Sequence, residues 1–431
     1  MTSTVLIALA VCFLTSVLVL DHGAYAWGID DDVDEVEEDD DGFDFVSSDL
    51  DFVKHEDLVE VQCNGKECAA EGSGDVPSVL VRGLVTTKVK PKLILQEHAR
   101  AATNVEKQFR GETLGYVTPW NSRGYDWAKQ FRTKFTYISP VWLQIREDPD
   151  HVPIITGTHD IDRQWVRDVK YGVEGEGQQE EGPAVVPRVV YERNRLSSED
   201  VPIIIEKMLA LTDEHDFDGI VFEIPIMEGT VDILQQVARA FRAADKLLIL
   251  VMSRSTNDGE LPVTHELFAE LAPLVHRFSM NAYDFSAPGP NAPYPWLKKT
   301  LEKMSPMERQ RILMGLPFYG YDNAGQCWDI ADLHYSYFDT NLFVVFWTID
   351  AITGSTYIQS LKENKVSKIR WDATAHECQH AYASAETGSH HVVFFPCLQF
   401  LQDRLKLYKK SGVGVAIWEL GQGLDYFYDL L

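Results

Sequence analysis

From about Leu114 onward, short apolar runs alternate with longer stretches whose apolar residues recur every three or four positions. The runs are Leu114–Trp120, Phe135–Ile145, Ala184–Tyr191, Gly219–Ile224, Lys246–Met252, Phe278–Phe285, Ile312–Tyr319 and Val413–Trp418. Several are apolar at consecutive positions, as parallel strands covered by helices on both faces must be. Between them, Val231, Leu234, Val237, Ala238 and Phe241 lie on one helical face, and Leu398, Leu401, Leu405 and Tyr408 repeat the pattern. Gly412 follows where a helix C-terminus favours glycine. Eight strands separated by helices predict an α/β fold, a (β/α)8 TIM barrel. The same periodicity also fits a doubly wound open sheet, because strand order is not written in it.

The first 81 residues have a different texture. Val5–Leu20 is a nearly unbroken apolar run, and Ala24-Tyr25-Ala26 follows with a small-x-small pattern. This predicts a secretory signal peptide over 1–26, with a core short of the ~20 residues of a membrane span. No later run is long enough to span, so a soluble protein of the secretory route, secreted or lysosomal, is expected. Residues 27–81 are predicted to be a disordered acidic region: Asp30–Asp51 holds 13 Asp and Glu and no Lys or Arg. A calcium-loop register on Gly42 fails, because its twelfth position is Ser48 rather than Glu. The whole chain carries a formal charge of −27, which excludes the basic footprint of a nucleic-acid or anionic-membrane binder. Past the signal, Cys63, Cys68, Cys327, Cys378 and Cys397 leave at least one thiol unpaired in a monomer, with the pairing open. No N-glycosylation sequon occurs.

In a barrel, function gathers at the C-terminal ends of the strands. Those ends carry Pro119-Trp120, Phe222-Glu223-Ile224-Pro225, Asn281-Ala282-Tyr283-Asp284, Phe318-Tyr319-Gly320 and Trp418-Glu419. Aromatic faces beside a few carboxylates and amides suit a sugar, whose CH face stacks while its hydroxyls hydrogen-bond.

These residues resemble a known family. FDGIVFEIP (Phe217–Pro225) is similar to the fourth-strand signature of family-18 glycoside hydrolases, the chitinases, in which Asp-Gly-x-Asp-x-Asp-x-Glu ends on the catalytic acid. LGYVTPW, NAYDF, MGLPFYG and VAIWELGQG resemble the family's first, sixth, seventh and eighth strands. The resemblance runs from about Arg82 to the end, so 82–431 is expected to be the barrel, with a small insertion between strand 7 and helix 7. It lapses over about 326–350, an atypical stretch. It implies amino-sugar oligosaccharides as ligands, held by Tyr116, Trp120, Glu223, Asn281, Tyr283, Asp284, Tyr319 and Trp418. Trp418 would floor the sugar site. It also implies contact with a scavenger-type receptor.

The departure from the pattern decides the activity. Family-18 hydrolysis is substrate-assisted: a Glu protonates the leaving oxygen while the substrate's acetamido group attacks. Counting from Asp218, the first carboxylate position is Val221, the middle one is Glu223 and the acid is Pro225. Glu223 lies about 6.6 Å deeper along the strand. Its extra methylene reaches only ~1.5 Å beyond an Asp. That leaves it short of the distance of about 3 Å that proton transfer needs. PRVVYER (Pro187–Arg193) also lacks the Ser-x-Gly-Gly expected in the third strand, so the groove should be narrowed. The expectation is a non-catalytic, chitinase-like lectin; the alternatives are a weak glycosidase with Glu223 as relocated acid, and an inert barrel serving as an interaction protein. No cofactor is expected. His376, Glu377 and His380 imitate a zinc-protease His-Glu-x-x-His helix, but no third ligand is evident and no metal is expected.

Overall fold

The computed structural model describes residues 75–103, 106–173, 182–193, 197–286, 289–329, 343–364, 366, 368–384 and 387–431, with backbone alone at 325–329 and 343–347. The predicted signal peptide, nearly all of the acidic region, Cys63, Cys68 and most of 326–350 lie outside them. Residues 75–328 and 345–431 form one compact unit.

The eight predicted runs all become barrel strands. They are β1 (Thr113–Val117), β2 and β3 (Tyr137–Pro140, Leu143–Glu147), β5 and β6 (Ala184–Val185, Arg188–Tyr191), β7 (Gly219–Glu223), β8 (Leu247–Met252), β9 (Arg277–Met280), β10 (Ile312–Pro317) and β16 (Gly414–Trp418). A short β4 (Pro153–Thr156) pairs antiparallel with β3. The second and third runs are each split into two segments. Tyr137 pairs with Ala184 below the break and Leu143 with Val189 above it, one residue out of step. A bulge in the second strand absorbs the difference. The ring closes because β1 pairs parallel with both β2 and β16, and β16 with β10. Strand order thus settles for a barrel over an open sheet.

Alternation sorts the side chains. Leu114, Tyr116, Tyr137, Val221, Ile249 and Leu313 are among those that fill the barrel interior. The opposite faces pack on the helices, including the predicted Glu228–Ala243 and Leu398–Ser411. Gly412 ends the latter at φ 74°, as its position predicts. At the N-terminal end, Arg277 closes the barrel with two bonds to Glu112 (2.5 and 2.6 Å).

Between β10 and the helix Leu398–Ser411 lies the insertion. It is a five-stranded sheet in the order β12 (Phe343–Ile352), β11 (Gly320–Asp329), β15 (His390–Phe394), β14 (Glu377–Ala383), β13 (Arg370–Asp372), with a helix Gly354–Glu363. A Cys378–Cys397 disulfide staples β14 to the start of the last long helix. Among the described residues, no helix is long and apolar enough to cross a membrane.

Candidate functional site

The top layer of the barrel interior is polar, above a middle filled by Leu114, Val221, Ile249 and Leu313. Tyr116, Arg188, Glu223, Ser279 and Trp418 come from five different strands and meet there. The Tyr116 hydroxyl donates to Ser279 Oγ at 2.8 Å, and its ring lies 5.2 Å from that of Trp418. Burial pushes the Tyr116 phenol up to about 12, so it stays a neutral donor. The Trp418–Glu419 peptide is cis.

Arg188 is the residue the sequence reading underrated. It pairs with Val221 in register, one inward step below Glu223, and its long side chain rises to the mouth. Arg188 Nε donates to Glu223 Oε2 at 2.5 Å, and Nη2 pairs with the same oxygen. The guanidinium carbon stands 5.0 Å from the Trp418 ring centroid. Stacking of this kind contributes about 0.5–2 kcal/mol. One face of Trp418 is therefore covered by the protein's own cation. Within the stretch PRVVYER it is Arg188 whose side chain occupies space at the mouth.

Tyr283 links this layer to a second group. Its hydroxyl donates to Asn281 Oδ1 at 3.0 Å, and its ring meets Tyr319 edge-on at 6.1 Å. Gly315 makes room for it, since a Cβ there would stand 2.9 Å from the Tyr283 ring. Burial raises the Tyr283 phenol further than any neighbouring charge does, and Tyr116, Arg188, Asp284 and Glu223 all act on it. Tyr319 and Tyr321 both donate to Asp284 Oδ1, the latter at 2.5 Å. Asp284 sits at φ 59°, held by a bond from its N–H to Asn291 Oδ1 at 2.8 Å. Of the eight residues proposed from sequence, seven are brought to the mouth. Trp120 stands apart on the rim, 71% exposed. Arg188, Ser279 and Tyr321 were not foreseen.

Neither Pro225 nor Glu419 offers a free acid to the interior. Pro225, at the acid's place, is exposed and accepts a bond from Thr230 through its carbonyl. Glu419 turns away from the interior, accepting from Gly421 N–H at 2.8 Å and Asn121 Nδ2 at 3.0 Å. Burial pushes its carboxyl up to about 7.

The His-Glu-Cys-Gln-His segment is not a helix. Glu377–Ala383 is strand β14, so the spacing that would face both imidazoles at one ion is lost. His376 Nδ1 bonds Asp403 at 2.7 Å, while His380 is buried and pushed down to about 4 by desolvation. Among the described residues no cluster of three or more His, Cys, Asp or Glu is placed to hold a metal.

No family model matches the chain. Its fold is that of solved family-18 chitinases. A chitinase from Chromobacterium violaceum superposes with TM-score 0.57 at 17% identity, covering 74% of this chain and 98% of that one. A family GH18 chitinase from Cycas revoluta, in complex with allosamidin, gives 0.55 at 13%, covering 74% and 97%. The spore cortex-lytic enzyme SleL of Bacillus megaterium gives 0.55 at 15%, covering 74% and 72%.

Proposed function

We propose that this protein is a non-catalytic member of glycoside hydrolase family 18, a chitinase-like lectin that binds amino-sugar oligosaccharides at the barrel mouth. Within the family, YVTPWNS, ISPVWLQ and IWELGQGLDYFYDLL resemble the stabilin-interacting chitinase-like proteins. A secreted or lysosomal location and a scavenger-type receptor partner belong to the same proposal. The observation that carries it is the end of β7. Pro225 has no proton to give, and Glu223 accepts from Arg188. General acid catalysis contributes about 10²–10⁴-fold, and the chain has lost both the acid and the free carboxylate that would orient the acetamido group. The aromatic and polar lining remains, and stacking with hydrogen bonds but no transition-state stabilisation gives binding without turnover.

Titration calorimetry with chitotetraose, on wild type and Trp418→Ala, tests the binding. Wild type should bind and the variant should bind at least about tenfold more weakly, a loss of about 1.4 kcal/mol. Equal heats from both proteins would remove the mouth from the account.

A further inference from the structure

Beside the covered mouth lies an open trough of 720 Å³, whose lining includes neither Trp418 nor Arg188. One wall is a single face of the helix Gly354–Glu363, carrying Ser355, Ile358, Gln359 and Lys362. The facing wall is the loop after β16 together with Asn121 and Arg123. Gly354 lets the walls meet, because a Cβ there would stand 2.7 Å from the Gly423 carbonyl oxygen. Trp120 stands at the rim with its ring exposed. Gln422 Oε1, also in the lining, is buried without a hydrogen-bond partner among the described residues.

The charges are sorted by depth. Two carboxylates line the trough, but Glu419 is 0% and Asp425 6% exposed. Glu419 is bonded to Asn121 and Gly421, and Asp425 to Arg123. Lys362 and the Arg123 side chain are exposed instead. His98 also lines the trough, and burial first, then the charges of Lys362 and Arg123, hold its imidazole below the usual range, so it stays neutral. A ligand entering the trough therefore meets the exposed Lys362 ammonium and the exposed part of the Arg123 guanidinium before either buried carboxylate, on a chain whose formal charge is −27. Amides and hydroxyls at Asn121, Gln359, Gln422 and Ser355 complete a lining suited to sugar hydroxyls.

We propose that the trough is a subsite for acidic oligosaccharides: Trp120 carries the apolar face of a sugar ring, and Lys362 with Arg123 takes a uronate carboxylate. This rests on the saccharide-binding reading above and names the class of sugar. Calorimetry should compare two probes, chitotetraose and a tetrasaccharide alternating N-acetylglucosamine with glucuronate. Wild type should prefer the acidic probe by about tenfold or more at low salt, with the preference shrinking as salt screens it. Lys362→Glu, an exposed position whose fold is checked by thermal melt, should bring the ratio of the two affinities to one or below. Two outcomes overturn the inference alone: equal affinities in wild type, or a preference that survives Lys362→Glu. If wild type binds neither probe, both this inference and the saccharide-binding reading fall.

Discussion

Two Arg–Glu pairs in this molecule have opposite settings. Arg404 and Glu377 are 0% and 4% exposed at the side chain, 3.6 Å apart. Arg404 donates to the carbonyls of Ala292, Ala375, His376 and Phe400, and Glu377 accepts from the N–H groups of Asn291 and Ala292. Arg188 and Glu223 are 17% and 30% exposed, with a tryptophan face beneath. The buried pair fixes backbone: it joins the last long helix to β14 and to the loop whose Asn291 holds Asp284. The mouth pair occupies space at the end of a barrel where ligands bind. Burial thus separates an ion pair that builds the site from one that fills it.

The largest effect expected on breaking this contrast is at Arg404. Arg404→Met leaves the Glu377 charge buried without its cation and takes one donor from each of four carbonyls, of which Ala375 keeps the Tyr294 N–H, a loss of about 3–5 kcal/mol in a denaturant titration. Cys378→Ser comes next. It opens a loop spanning 19 residues beside the same pair, and chain-entropy arguments put the cost at about 3 kcal/mol.

Glu419 offers a test by pH. Its carboxyl is raised from 4.5 to about 7 by burial, so the folded state holds its proton more tightly than the unfolded chain. Its contribution is complete below about pH 4.5 and is lost as pH rises through about 7, a swing of up to about 3 kcal/mol. Glu419→Gln does not titrate. The stability difference between wild type and this variant should therefore move against wild type from pH 4 to pH 8; a constant difference would show that the site is wetter than its burial indicates.

Arg188→Ala should cost least, about 1 kcal/mol or less in stability, because its pair is partly solvated. Its effect belongs to binding: with Trp418 uncovered, chitotetraose should bind about tenfold more tightly, within the range that removal of a stacked cation worth about 0.5–2 kcal/mol implies. Weaker binding would make Arg188 a sugar ligand instead of a cover.

The barrel was legible because its strands are buried on both faces and read as unbroken apolar runs, and because the helices Glu228–Ala243 and Leu398–Ser411 keep a clean helical period. The aromatic site residues were legible for a related reason, since they sit at the ends of those runs. Arg188 was not read as a partner, because Glu223 is 35 residues away in sequence and only the barrel's register joins them. Tyr321 lies past its run, on β11, and its bond to Asp284 arises from the insertion's return to the mouth. The His-Glu-Cys-Gln-His segment imitates a helical metal motif because residues four apart share one face of a helix and of a strand alike, but on a strand they stand about 13 Å apart. Five cysteines likewise leave many pairings, of which Cys378–Cys397 is fixed by three-dimensional proximity.

The central claim is binding without cleavage, and one measurement addresses it directly: product release from chitotetraose at concentrations that calorimetry shows to be saturating. The account predicts full occupancy with no product above the buffer blank. Steady product release from the occupied protein, abolished by Glu223→Gln, would contradict it and make Glu223 the acid.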